Sequence, residues 1–116
     1  MAVSPFKLEG LSRLLEQGKY AQVETELHKL GRISPGDPNL AGLMTSLFAE
    51  TGRFEQAAFA AERRAALLPQ DYGAQSTLIE MLIAAKKPDE AVARARAVFE
   101  RSKANPGAVF VLASAL

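Results

Sequence analysis

Residues 18–35 read GKYAQVETELHKLGRISP, and residues 52–69 read GRFEQAAFAAERRAALLP. The two stretches begin 34 residues apart, pairing Gly18 with Gly52, Tyr20 with Phe54, Val23 with Ala57 and Pro35 with Pro69. In each, a Gly and an aromatic residue open a run of helical periodicity, and a Pro closes it. A glycine in the left-handed conformation commonly ends a helix. A proline cannot continue one, and it restricts the residue before it. A further step of 34 lands on Lys86, Pro88, Ala91 and Lys103. Only the small residue survives there, so the third copy is degenerate. A fixed period of this length marks a repeat architecture.

Working outward, each period divides into two helical stretches. The expected helices run 5–17 and 20–34, then 38–51 and 54–68, then 72–85 and 88–102, with a last piece at 106–116. Ser4-Pro5, Asp37-Pro38 and Asn105-Pro106 each place a capping side chain before a proline. The side-chain oxygen accepts from an orphan first-turn N–H, and proline at the first helical position loses no hydrogen bond. Asp71 takes the same place before Tyr72. Apolar residues recur three and four apart, as in Leu11, Leu14 and Leu15, or Val23, Leu27 and Leu30. No alternating strand pattern flanks a hairpin turn.

Composition narrows the function. Of the 116 residues, 48% are hydrophobic, enough for a packed core. The net charge of +1 gives no general attraction to nucleic acid or anionic membrane. The chain lacks Cys, which removes disulfides, thiolate metal sites and a Cys nucleophile. No signal-peptide pattern opens the chain and no apolar run is long enough to span a bilayer, so a cytoplasmic location is expected. His28 is the one histidine, and no phosphate loop, zinc-binding helix or nucleophile elbow occurs. Asp89 and Glu90 fall in a first helical turn, where the helix dipole accounts for them. Arg63, Arg64, Arg94 and Arg96 stand among acids and read as a solvated outer face, with a phosphate- or acid-binding patch as the alternative. The expectation is a non-enzyme with no cofactor and no metal.

These marks resemble the tetratricopeptide repeat family. The residues that carry the resemblance are Gly18-Lys19-Tyr20…Val23…Pro35 and Gly52-Arg53-Phe54…Ala57…Pro69. The family's first-helix Trp column holds Lys7, Ala41 and Gln75 instead. The resemblance implies an all-α fold, an α-solenoid of antiparallel helix pairs in a right-handed superhelix. It would form a single domain over 1–116, with repeats at 4–37, 38–71 and 72–105 and a partial repeat at 106–116. The RNA-reading pentatricopeptide class is disfavoured by the period, the Gly-x-aromatic turn and the near-neutral charge.

In that family the first helices line a concave groove. The resemblance therefore implies groove columns: Leu8, Gly42, Ser76 and Phe110; Ser12, Ser46, Glu80 and Ser114; Leu15, Ala49 and Ile83; Pro5, Asn39, Gly73 and Gly107. Core columns fall instead on Leu14, Phe48 and Leu82, and on Leu27, Ala61 and Ala95. The groove is small-sided and poor in cations, with serine hydroxyls for adaptable hydrogen bonds. The family's two-carboxylate clamp would need cations and asparagines where this chain has Leu8, Ser12, Leu43, Gly73 and Thr77. Its asparagine ladder would fall on Glu9, Leu43, Thr77 and Val111. Neither motif is present.

The expected function is a protein-interaction module, an adaptor or scaffold that binds a peptide or helix in the groove. The alternative is the substrate-recruiting arm of an enzyme, such as a glycosyltransferase or sulfotransferase, whose catalytic domain lies past Leu116. Residues 109–116 carry no charge. Val109, Leu112, Ala113 and Leu116 would leave an uncovered apolar edge, which repeat arrays normally cap with a polar helix. Further chain, favoured here, or a second copy forming a homo-oligomer would cover it. Neither nucleic acid nor membrane is an expected partner.

Overall fold

The computed structural model describes residues 3–101. These form six α-helices and no strand: α1 (Pro5–Glu16), α2 (Tyr20–Ile33), α3 (Pro38–Glu50), α4 (Phe54–Leu67), α5 (Tyr72–Ala84) and α6 (Pro88–Arg101). The expected piece at 106–116 lies outside the described residues, with Phe110, Ser114 and the apolar edge Val109, Leu112, Ala113 and Leu116.

The helix starts follow the caps. Ser4 Oγ accepts the Phe6 N–H at 3.2 Å, Asp37 Oδ1 the Asn39 N–H at 2.9 Å, and Asp71 Oδ1 the Ala74 N–H at 3.1 Å. Asp37 is buried, and its other oxygen accepts the Val3 N–H at 2.9 Å. Five helix ends fall one residue short of expectation. Gln17, Ser34, Thr51, Leu68 and Ala85 are the capping residues just past the helix rather than its last turn.

One turn recurs three times. Gly18 donates to the Leu15 carbonyl at 3.0 Å and Lys19 to Leu14 at 3.0 Å. Gly52 donates to Ala49 at 3.1 Å and Arg53 to Phe48 at 2.8 Å. Lys86 donates to Ile83 at 3.0 Å and Lys87 to Leu82 at 2.8 Å. This paired pattern is the Schellman motif, which needs a left-handed residue just past the cap. The φ angles there are 76° at Gly18, 74° at Gly52 and 63° at Lys86. The third copy therefore keeps the turn although it lacks the glycine. The links between periods also match: Asp37 donates to the Ser34 carbonyl at 3.2 Å, and Asp71 to that of Leu68 at 3.1 Å.

Each helix packs on the next in sequence, and α1 also meets α3. Two apolar bodies result. One joins Leu11, Val23, Leu27, Leu40, Leu47 and Phe48 to Ala57 and Ala60 of α4. The other joins Ala58, Ala61 and Ala65 of α4 to Leu78, Ile79, Leu82, Ala91, Ala95 and Val98. Alanines on α4 thus face both ways, and their small side chains let the larger neighbours close in. Of the expected core columns, Leu27, Phe48, Ala61, Leu82 and Ala95 are buried. Leu14 is half-buried, because among the described residues no helix precedes α1 to cover it.

Candidate functional site

A cavity of about 400 Å³ opens where α1, α3, α4 and α5 face one another. Helix α1 supplies Leu8 and Ser12, one turn apart on one face. Helix α3 supplies Asn39, Gly42, Leu43, Thr45 and Ser46, and α5 supplies Thr77. From α4 comes Arg64, the one charged side chain on the lining. That volume lies within the roughly 300–1,000 Å³ span of ordinary ligand clefts.

Glycine decides the geometry at the centre. A Cβ built on Gly42 would stand 3.4 Å from Arg64 Nε and 3.5 Å from Arg64 Cδ. The arginine stem therefore passes directly over the α3 backbone, in a place a larger side chain would fill. The hydroxyls of Thr45 and Thr77 donate to the carbonyls of Ala41 and Gly73 at 2.8 and 2.9 Å. Those bonds leave oxygen lone pairs only. The side chains of Ser12, Asn39 and Ser46 hold no hydrogen bond among the described residues, and both faces of their chemistry, donor and acceptor, remain open.

Of the expected groove residues, Leu8, Ser12, Asn39, Gly42 and Ser46 come together on this cavity. Leu15, Ala49, Gly73, Ser76, Glu80 and Ile83 do not line it. Leu8, Leu15 and Ala49 also pack against the first apolar body, so these positions share in the core as well as the surface. Gly73, Glu80 and Ile83 are exposed, and Ser76 is half-buried.

Arg64 departs from its expected place on an outer face. The four arginines read as one patch do different things. Arg63 donates to the Pro35 carbonyl at 2.8 Å, Arg94 pairs with Glu62, Arg96 is exposed, and Arg64 enters the cavity. Sequence does hold a signal for this. Residues 62, 63 and 64 fan out by 100° each around the helix, and Arg64 falls three and seven positions after the buried Ala61 and Ala57. It flanks the buried stripe rather than opposing it.

A second cavity, of about 500 Å³, lies between α2, α3 and α4 around Met44, Phe48 and Phe59. None of the expected groove residues lines it. His28 stands at its rim, 3.7 Å from Glu24. Among the described residues no three potential metal ligands cluster, and no helix is long and apolar enough to cross a membrane. No family model matches the chain, and neither a curated protein nor a solved structure matches it.

Proposed function

We propose that this chain is a peptide-binding module built as a tetratricopeptide-like helical solenoid. Its ligand lies as an extended segment along α3, between α1 and α5. The observation that carries the reading is the convergence of Leu8, Ser12, Asn39, Gly42 and Ser46 on one cavity. Their hydroxyl and amide groups can bond to a peptide backbone, and Leu8 and Leu43 give it an apolar wall. The threefold recurrence of one hydrogen-bonded turn at the sequence period supports the solenoid reading. An adaptor or scaffold role follows from the same site.

Random-peptide display on the purified chain tests this. Selected peptides should lose at least tenfold in affinity with Ser12→Arg or Ser46→Arg, and little with Phe59→Arg at the second cavity. Equal binding to all three variants would remove the ligand from this groove.

A further inference from the structure

We infer that the groove selects a peptide with an internal acidic residue, whose carboxylate pairs with Arg64. This deepens the peptide-binding reading above and rests on it.

Two arginines, Arg53 and Arg64, are half-buried among the described residues, and the other described arginines are exposed. Arg53 is satisfied by the Glu24 carboxylate at 2.8 and 3.1 Å and by Thr51 Oγ1 at 3.0 Å. Arg64 has no described carboxylate within 4.0 Å. It holds no hydrogen bond among the described residues either. A guanidinium carries five donors in a planar fork that matches a carboxylate edge to edge. The cavity around it has neutral walls and no acid of its own. A ligand carboxylate supplies the missing charge.

Position along α3 decides which carboxylate. Arg64 crosses α3 at Gly42, between Asn39 and Ser46, which bound the polar floor. Those two residues lie about 10 Å apart along the helix at 1.5 Å per residue. An extended chain covers that length in about three residues. The arginine therefore meets the middle of the bound segment, with floor continuing on both sides. An internal Asp or Glu side chain fits that place. A terminal carboxylate would leave half of the floor empty.

Retention on the immobilised chain tests this with four pools of N-acetylated heptapeptides randomised at six positions. Three are C-terminally amidated with Glu, Gln or Arg fixed at the centre. The fourth has Gln at the centre and a free C-terminus. The Glu pool should be retained several-fold above the amidated Gln pool, and the Arg pool least. Arg64→Gln should level the Glu and Gln pools, with its thermal midpoint confirming a folded chain. Arg64→Lys should keep part of the preference.

Equal retention of the Glu and Gln pools, with both blocked by Ser46→Arg, would overturn the carboxylate assignment and leave the groove standing. Preference for the free C-terminus would overturn it in favour of terminal capture. Retention of no pool would overturn the groove reading as well.

Discussion

Arg53 reaches back 29 positions to hold Glu24 with both terminal nitrogens, at 2.8 and 3.1 Å. Its guanidinium also lies 4.8 Å from the centre of the Phe48 ring, and its Nε donates to Thr51. The second turn is thereby fastened to α2 of the period before. The Arg53 hydrogen bonds hold the Glu24 carboxyl below its ordinary value of 4.5, against the opposing effect of burial.

That shift gives a pH signature. Glu24 is depressed in the folded chain, so its contribution is present above the unfolded value and disappears as pH falls through the folded one. Glu24→Gln should lower the thermal midpoint between pH 5 and 7. The gap from the unsubstituted chain should close as pH drops below 4.5. A gap of the same size at neutral pH and in acid would mean the carboxylate charge contributes nothing.

Lys86 carries a left-handed φ of 63° that glycine adopts freely. Lys86→Gly should raise the free energy of unfolding by about 0.5–1 kcal/mol, read from the urea midpoint. Gly52→Ala should move it the other way by about 1 kcal/mol. The cause there is dihedral alone, since a Cβ on Gly52 would meet nothing within 4 Å.

Asp37 performs two tasks where Asp71 performs one. Asp71→Ala removes a cap, worth about 1 kcal/mol. Asp37→Ala removes a buried cap and also the acceptor for Val3, so its cost should be about 2 kcal/mol. Amide exchange should quicken at Val3 and Asn39 together in the Asp37 variant. Protection retained at Val3 would separate the two bonds.

Gly42 sits in the interior of α3, where alanine is favoured over glycine by about 1 kcal/mol. A Cβ there reaches only van der Waals contact with Arg64. Gly42→Ala should stabilise the chain by about that amount and leave peptide retention intact. Gly42→Leu should displace the arginine and erase the preference for acidic peptides. Equal acid preference in both variants would show that Arg64 does not need its path over α3.

The helix starts were legible because Ser4, Asp37 and Asp71 announce them by a local rule, a cap and in two cases a following proline. The ends are legible only to within one residue, because Gln17 or Thr51 looks helical in sequence and only cap geometry sets it outside. Lys86 hid the third turn, since a lysine gives no sign that its backbone is left-handed. Ser12, Asn39, Gly42 and Ser46 follow from the family resemblance, which assigns first-helix columns to a groove, together with the 34-residue register. For Arg64 the sequence carries half of the answer: its spacing from Ala57 and Ala61 sets it beside the buried stripe, but its path over Gly42 depends on packing between α3 and α4.

Helix α4 touches both apolar bodies through alanine methyls: Ala57 and Ala60 toward one, Ala58, Ala61 and Ala65 toward the other. A methyl has no rotamer to freeze or to adjust. Where those alanines stand, α4 meets its neighbours through backbone and methyls, like a shim of set thickness. On the peptide-binding proposal, a ligand arriving between Ser46 and Thr77 would find the α3 and α5 walls already spaced. Little ordering of the receptor backbone would accompany such binding, and the entropy lost would fall on the peptide and on the Arg64 side chain.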